Sequence, residues 1–214
     1  MSRYGFVQAG GGSTRFGADK ALAKFAGKTM LQRTGELLAN VCDQVLVVAP
    51  SGKYKNLPWP LVADRWPGQG PLGGILTALD HVNAHISRPR LTNSQSQPAW
   101  ALMVGCDMPF LTAPFLTFLW ERASQSRAQV VVAESGNGLE PLCACWRSDA
   151  AGAIQAAFDT GVRRVTEAMK RLPMEVLDGP AWKRFDSGNR LFWNMNTPAD
   201  FAEARRILET GTDE

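Results

Sequence analysis

Ala9-Gly10-Gly11-Gly12-Ser13-Thr14-Arg15-Phe16-Gly17-Ala18-Asp19-Lys20 is the stretch that decides how the chain reads. It follows a short apolar run, Tyr4 to Val7, with the pattern of a first strand, and it precedes a helical pattern that starts near Thr29. Glycines leaving a strand let backbone N–H groups close on a phosphate or a base, because no Cβ stands in the way. Arg15 adds a fork-shaped cation, and Lys20 adds a point charge five positions later. Together these parts can cradle a triphosphate.

Two better-known glycine loops fail on the residue that carries their physics. The dinucleotide pattern G-x-G-x-x-G fits Gly10 and Gly12 but puts Arg15 where a glycine must let helix and strand pack. The phosphate loop G-x-x-x-x-G-K-[ST] fits Gly12 and Gly17 but then offers Ala18 in place of lysine, and Gly27-Lys28-Thr29 lacks the first glycine, which falls on Leu22. A plain strand-to-helix turn with solvated charges needs neither three glycines nor spaced Arg, Asp and Lys.

The 214 residues suit one α/β domain spanning 1–214, and a 45% hydrophobic content suits a real core. A net charge of +3 with no long basic run argues against a nucleic-acid partner. The chain opens Met1-Ser2-Arg3-Tyr4-Gly5 without a signal-peptide pattern. No apolar stretch reaches the roughly 18–20 residues that span a bilayer, so no membrane partner is expected. Cys42, Cys106, Cys143 and Cys145 form no C-x-x-C pair and read as buried free thiols, which fits a cytoplasmic protein.

Outward from the glycine loop, Thr29–Val41 carries helical apolar spacing, Gln44–Ala49 is a buried strand, and Pro60–Ala63 is a shorter strand ending on Asp64. A first β-α-β unit puts the glycine loop at the carboxyl end of its strand, where open parallel sheets bind ligands. Asp64 emerges at that same edge; contacting a ligand and capping the turn at Arg65-Trp66-Pro67-Gly68 are both open to it. Gly68-Gln69-Gly70-Pro71 is a second glycine loop opening a helix with Leu72, Ile75, Leu76, Leu79, Val82 and Ile86 on its stripe. His81 and His85 lie off that stripe, with no third metal ligand in the pattern, and read as solvent-facing. Residues 87–98, rich in Ser, Pro, Asn and Gln, read as a flexible surface loop. Trp100–Cys106 is a further strand ended by Asp107, and a carboxylate there, ahead of Pro109, suits a magnesium ligand. A helix from Thr112 to about Ser124 and strands at Gln129–Ala133 and Leu142–Trp146 follow, with a turn at 134–138. Thr197-Pro198-Ala199-Asp200 is a helix-start signal, and Asn194 and Asn196 alternate on what reads as a strand end before it.

The run A-G-G-x-S-x-R-F-G-x-D-K resembles the opening loop of molybdenum cofactor guanylyltransferases, members of a wider nucleotidyltransferase group. Gly70-Pro71-Leu72 with Gly74, Cys106-Asp107-Met108-Pro109 and Asn194-Met195-Asn196-Thr197-Pro198-Ala199-Asp200 resemble further family segments in the right order. The resemblance implies a three-layer α/β/α nucleotidyltransferase domain with a mostly parallel, Rossmann-like sheet. It implies transfer of GMP from GTP to the terminal phosphate of molybdopterin, with Mg²⁺ on Asp107 and pyrophosphate leaving. Arg15, Lys20 and Asp107 are then catalytic. Gln8, Ala9, Gly10, Gly11, Gly12, Lys20, Asp64 and Asp107 hold the nucleotide. Arg163, Arg164, Asn194 and Asn196 face the acceptor, the arginines lying in a G-x-R-R-V segment that is helical in the family. Solvent is the other direction the two arginines can take. Cofactor-synthesis or molybdoenzyme-maturation proteins are the partners the resemblance suggests. Two positions depart from the pattern: Gln8 stands where the family usually has leucine, and Val48 where it often has asparagine. They keep a CTP-using relative, or another phosphorylated acceptor, as the alternative. A cofactor-binding partner without chemistry is the second, and an intact Lys20 and Asp107 argue against it.

Overall fold

The computed structural model describes residues 2–10, 19–25, 27–86 and 98–210. In chain order the elements are β1 (Tyr4–Gln8), β2 (Lys24–Phe25), β3 (Lys28–Thr29), α1 (Met30–Ala39), β4 (Gln44–Ala49), β5 (Leu61–Ala63), α2 (Pro71–Ile86), β6 (Trp100–Gly105), α3 (Ala113–Gln125), β7 (Val130–Ser135), β8 (Gly138–Arg147), α4 (Ala151–Asp159), α5 (Val165–Met169), β9 (Met174–Leu177), α6 (Gly179–Trp182) and α7 (Pro198–Thr210). Seven strands form one sheet in the order β5-β4-β1-β6-β8-β7-β9. Only β8 runs antiparallel to its neighbours; β1 pairs in parallel with both β4 and β6. The expected mostly parallel, three-layer architecture is therefore present.

Apolar side chains cover both faces, which is why the central strands read as continuous apolar runs rather than alternating ones. On one face, α1, α3 and α6 bury Leu31, Leu38, Phe115, Leu119 and Trp182 with Val7 and Val104. On the other, α2, α4 and α5 bury Leu72, Ile75, Leu79, Ile154 and Met169 with Tyr4, Phe6 and Met103. A small third cluster, Phe25, Met30, Met195 and Ala204, seats α7 on the β2–β3 hairpin. Local signals start two of these helices. Thr29 caps α1 in a reciprocal capping box with Gln32, and Thr197 with Asp200 does the same for α7, the Asp200 carboxylate accepting from the Asn196 and Thr197 N–H groups.

Several boundaries differ from the sequence expectation. The expected strand at Pro60–Ala63 begins at Leu61, because a proline has no N–H for the ladder; its carbonyl still accepts from Val47 N at 2.9 Å. The expected turn at 134–138 is tighter: β7 runs to Ser135 and β8 starts at Gly138, so only Gly136 and Asn137 join them. Strand β9 and helices α4 to α6 lie where no element was expected; α4 is Ala-rich with little polar contrast, and β9 is a four-residue strand. Cys106, Cys143 and Cys145 are buried free thiols as expected, but Cys42 is only half-buried. His81 and His85 do not simply face solvent. Their rings stack at 4.1 Å, and His81 meets the Phe6 ring edge-on at 5.9 Å. The loop expected at 87–98 lies outside the described residues up to 97. Among the described residues no helix is long and apolar enough to cross a membrane.

Candidate active site

The carboxyl ends of β1, β4 and β6 point the same way because the three strands are parallel. A cavity of about 260 Å³ opens there, lined by Gln8, Gly10, Lys20, Asp64, Gly70 and Asp107 among others. The chain reaches it from β1 with one more ladder bond, Ala9 N to Val48 O at 2.9 Å. Gly10 then turns with φ +152, and a Cβ on it would lie 2.8 Å from Pro50 Cδ, so only glycine passes this point without a shift. Gly11, Gly12 and Arg15 lie outside the described residues.

The loop returns at Asp19, and this carboxylate organises the turn that carries Lys20. Asp19 Oδ1 accepts from Ala21 N at 3.0 Å, while Oδ2 accepts from the Tyr54 hydroxyl at 2.9 Å and pairs with Lys53 Nζ at 3.0 Å. Burial, and then the bond to Asp19, push the Tyr54 phenol far above its ordinary range, so it stays a donor. Lys20 Nζ in turn donates to Asn196 Oδ1 at 3.0 Å. The Asn196 loop is tied to the metal-ligand candidate by Met195 N, which donates to Asp107 O at 2.9 Å. Tyr54→Phe removes one hydroxyl and keeps the ring. It is expected to cost about 1.5 kcal/mol, the low end for a hydrogen bond to a charged group, read as a lower urea midpoint at unchanged m-value. An unchanged midpoint would assign the brace to Lys53 alone.

Asp107 follows the all-buried strand β6. Burial pushes its carboxyl above the ordinary carboxylate range, and the Lys20 ammonium draws it partly back. A Cβ on Gly105 would lie 2.8 Å from Asp107 Oδ1, so the missing side chain makes room for the carboxylate. The oxygens gathered here are hard donors, and one carboxylate with amide oxygens, substrate phosphates and water is the donor set that suits Mg²⁺. No group of three or more His, Cys, Asp or Glu side chains able to hold a metal exists among the described residues, so a thiolate or imidazole metal does not fit.

Asp64 turns out to do both things its position allowed. Its Oδ1 caps the turn, accepting from Trp66 N at 2.9 Å, and the residue also lines the cavity. Asn194 and Asn196 sit in a loop, not a strand end. They line a second, open groove of about 690 Å³ together with Gly136, Trp182, Lys183 and Phe192. The arginines are not brought to them. Arg163 and Arg164 precede α5 rather than lying in a helix, on the α2/α4/α5 side of the sheet. Arg163 is engaged there: it donates to Gln69 Oε1 at 3.0 Å and to the Phe158 carbonyl at 2.7 Å, and its guanidinium covers the Phe158 ring at 3.9 Å. The expected four-residue acceptor set therefore splits into two, with the asparagines on the Lys20 side.

Sequence reasoning left Glu140 without a role. It is 8% exposed and accepts from Ser135 Oγ at 2.6 Å. Burial holds its carboxyl above the ordinary range against bonds from Ser135 and Asn194, with Asp107 adding repulsion. It orients the Asn194 side of the groove. Tyr54 was likewise missed, since nothing local ties it to Asp19, 35 positions away.

The MobA-like NTP transferase domain model matches residues 5–172 of this chain. A molybdenum cofactor guanylyltransferase of Rhodopseudomonas palustris is 32% identical over 209 residues, covering 94% of this chain and 91% of that protein. Among solved structures, molybdopterin-guanine dinucleotide biosynthesis protein A from Archaeoglobus fulgidus superposes with TM-score 0.78 at 22% identity, over 97% of this chain and 99% of that one. A 2-C-methyl-D-erythritol 4-phosphate cytidylyltransferase from Thermus thermophilus shares the fold at TM-score 0.67 and 15% identity, over 98% of this chain and 100% of that one.

Proposed function

The chain belongs to the MobA-like NTP transferase family and is a nucleotidyltransferase; on that premise we propose that it transfers GMP from GTP to the terminal phosphate of molybdopterin. One observation carries the reading: Lys20 and Asp107, 87 positions apart by their numbers, line one cavity at the carboxyl ends of β1 and β6. A phosphate oxygen of the acceptor attacks the α-phosphorus of GTP. The new P–O bond forms as the bond to the bridging oxygen of the β-phosphate breaks, and the electron pair leaves with pyrophosphate. Two polyanions must approach, so the protein's work is positioning and charge stabilisation. Lys20, held by Asn196 and by the braced turn, meets the charge that grows on the leaving group. Backbone N–H groups at Ala9 and Gly10 support the nucleotide, and Arg15 adds a second cation. Asp107 with Asn196 holds Mg²⁺, which when bound neutralises phosphate oxygens. The acceptor occupies the groove beside Asn194 and Asn196, and the finished dinucleotide passes to molybdoenzyme-maturation proteins.

Pyrophosphate release with molybdopterin, compared for GTP, CTP and ATP, tests the reading. GTP is expected to support release at least tenfold better than the others, the discrimination of about one well-made polar contact. A preference for CTP would move the chain to the cytidylyl branch. Pyrophosphate release without molybdopterin at the same rate would take away the acceptor.

A further inference from the structure

We infer that the side-chain amide of Gln8 reads the donor edge of the base, making it a specificity-determining residue for guanine. Gln8 shares a strand face with Tyr4 and Phe6, so its side chain leaves β1 toward α2. It meets that helix where the helix has no side chain: a Cβ on Gly74 would lie 2.1 Å from Gln8 Nε2 and 2.3 Å from Oε1. Gln8 Oε1 is enclosed and has no hydrogen-bond partner among the described residues. Its strand neighbours in register are Val48 and Gly105, and neither offers a side-chain donor. An enclosed amide oxygen without a donor costs about 1–3 kcal/mol, and an apolar residue of the same length would avoid that cost.

The residue also lines the nucleotide cavity. The last torsion of a glutamine is broad, and the bare Gly74 backbone leaves the amide room to turn its oxygen into the cavity. The ligand that satisfies it must be flat, must fit between the end of β1 and the first turn of α2, and must present donors. Guanine does so with N1–H and its 2-amino group. Adenine presents an acceptor at N1, and cytosine has no 2-amino group. A pocket polar group that loses its partner discriminates more strongly than an apolar wall does.

The inference rests on the guanylyl reading, and a protein-by-ligand cycle separates the two. Dissociation constants for GTP, ITP and CTP are measured by calorimetry on the full chain and on Gln8→Leu, with the thermal midpoint of each ligand-free protein. ITP lacks only the 2-amino group. The parent is expected to bind GTP about tenfold tighter than ITP, the scale of one buried hydrogen bond. In Gln8→Leu that ratio should fall by about tenfold, while the ligand-free midpoint holds or rises. A parent ratio near one, or a variant ratio within twofold of the parent's, overturns the inference and leaves the guanylyl reading standing. Equal weakening of GTP and ITP with a lowered midpoint makes Gln8 merely structural and overturns it too. A parent that binds CTP more tightly than GTP removes the guanylyl reading, and the inference with it.

Discussion

Lys20→Ala is expected to lower turnover by roughly 10²–10³, the scale of one preorganised contact to charge that develops in the transition state. The lysine is built to act in place. Its ammonium is fixed 3.0 Å from Asn196 Oδ1, and the turn beneath it is braced by Asp19, Tyr54 and Lys53. A charge that is already oriented needs no reorganisation as the leaving group forms. The loss should therefore fall on kcat more than on KM for GTP. Lys20→Arg keeps the charge but puts a planar fork where a compact ammonium fits, and it should recover only part of the activity. Pyrophosphate release under saturating GTP measures both. Lys20→Ala turning over within threefold of the parent would end the role given to the residue. The thermal midpoint should stay put, since the residue is half-exposed on the cavity wall.

Much of this fold could be read from local chemistry, and the reason is that its signals are local. The glycine loop after β1, the all-apolar run of β6, the Thr29–Gln32 and Thr197–Asp200 boxes and Pro71 at the start of α2 each act within a few residues. The side of the site built from Asp64, Gly70 and Asp107 followed from them, because parallel strands deliver their ends to one edge. What stayed hidden is long in range. Nothing near Lys20 announces Asn196, which is 176 positions away, and nothing near Glu140 announces that β8 runs antiparallel between β6 and β7 to bring it beside Asn194. Arg163 and Arg164 show the opposite failure. A family pattern read as acceptor recognition sits on the far side of the sheet from the asparagines, with Arg163 holding the Gln69 loop. Side-chain type and spacing do not say which layer a loop belongs to; the crossover that places α4 and α5 with α2 does.

The largest effect belongs to Asp107. Asp107→Ala is expected to reduce Mg²⁺-dependent pyrophosphate release by about 10³ or more, since several kcal/mol of charge neutralisation on phosphate oxygens is removed. Asp107→Asn should be nearly as inactive. It keeps the size and the oxygen but not the negative charge that binds a hard cation. Neither change cuts the tie that positions the neighbouring loop, because Met195 N donates to the Asp107 backbone carbonyl, not to its side chain. Nor should either unfold the protein. The folded carboxyl titrates above its ordinary 3.8 because it is buried, so stability is withdrawn as pH rises past that value through the folded one, and at neutral pH the ionised group burdens the fold. Both variants should therefore melt at or above the parent's temperature while losing activity. That pairing separates a metal-holding carboxylate from a structural one, whose loss would lower the midpoint and the rate together. Activity in Asp107→Ala at ordinary Mg²⁺ would place the metal on other residues.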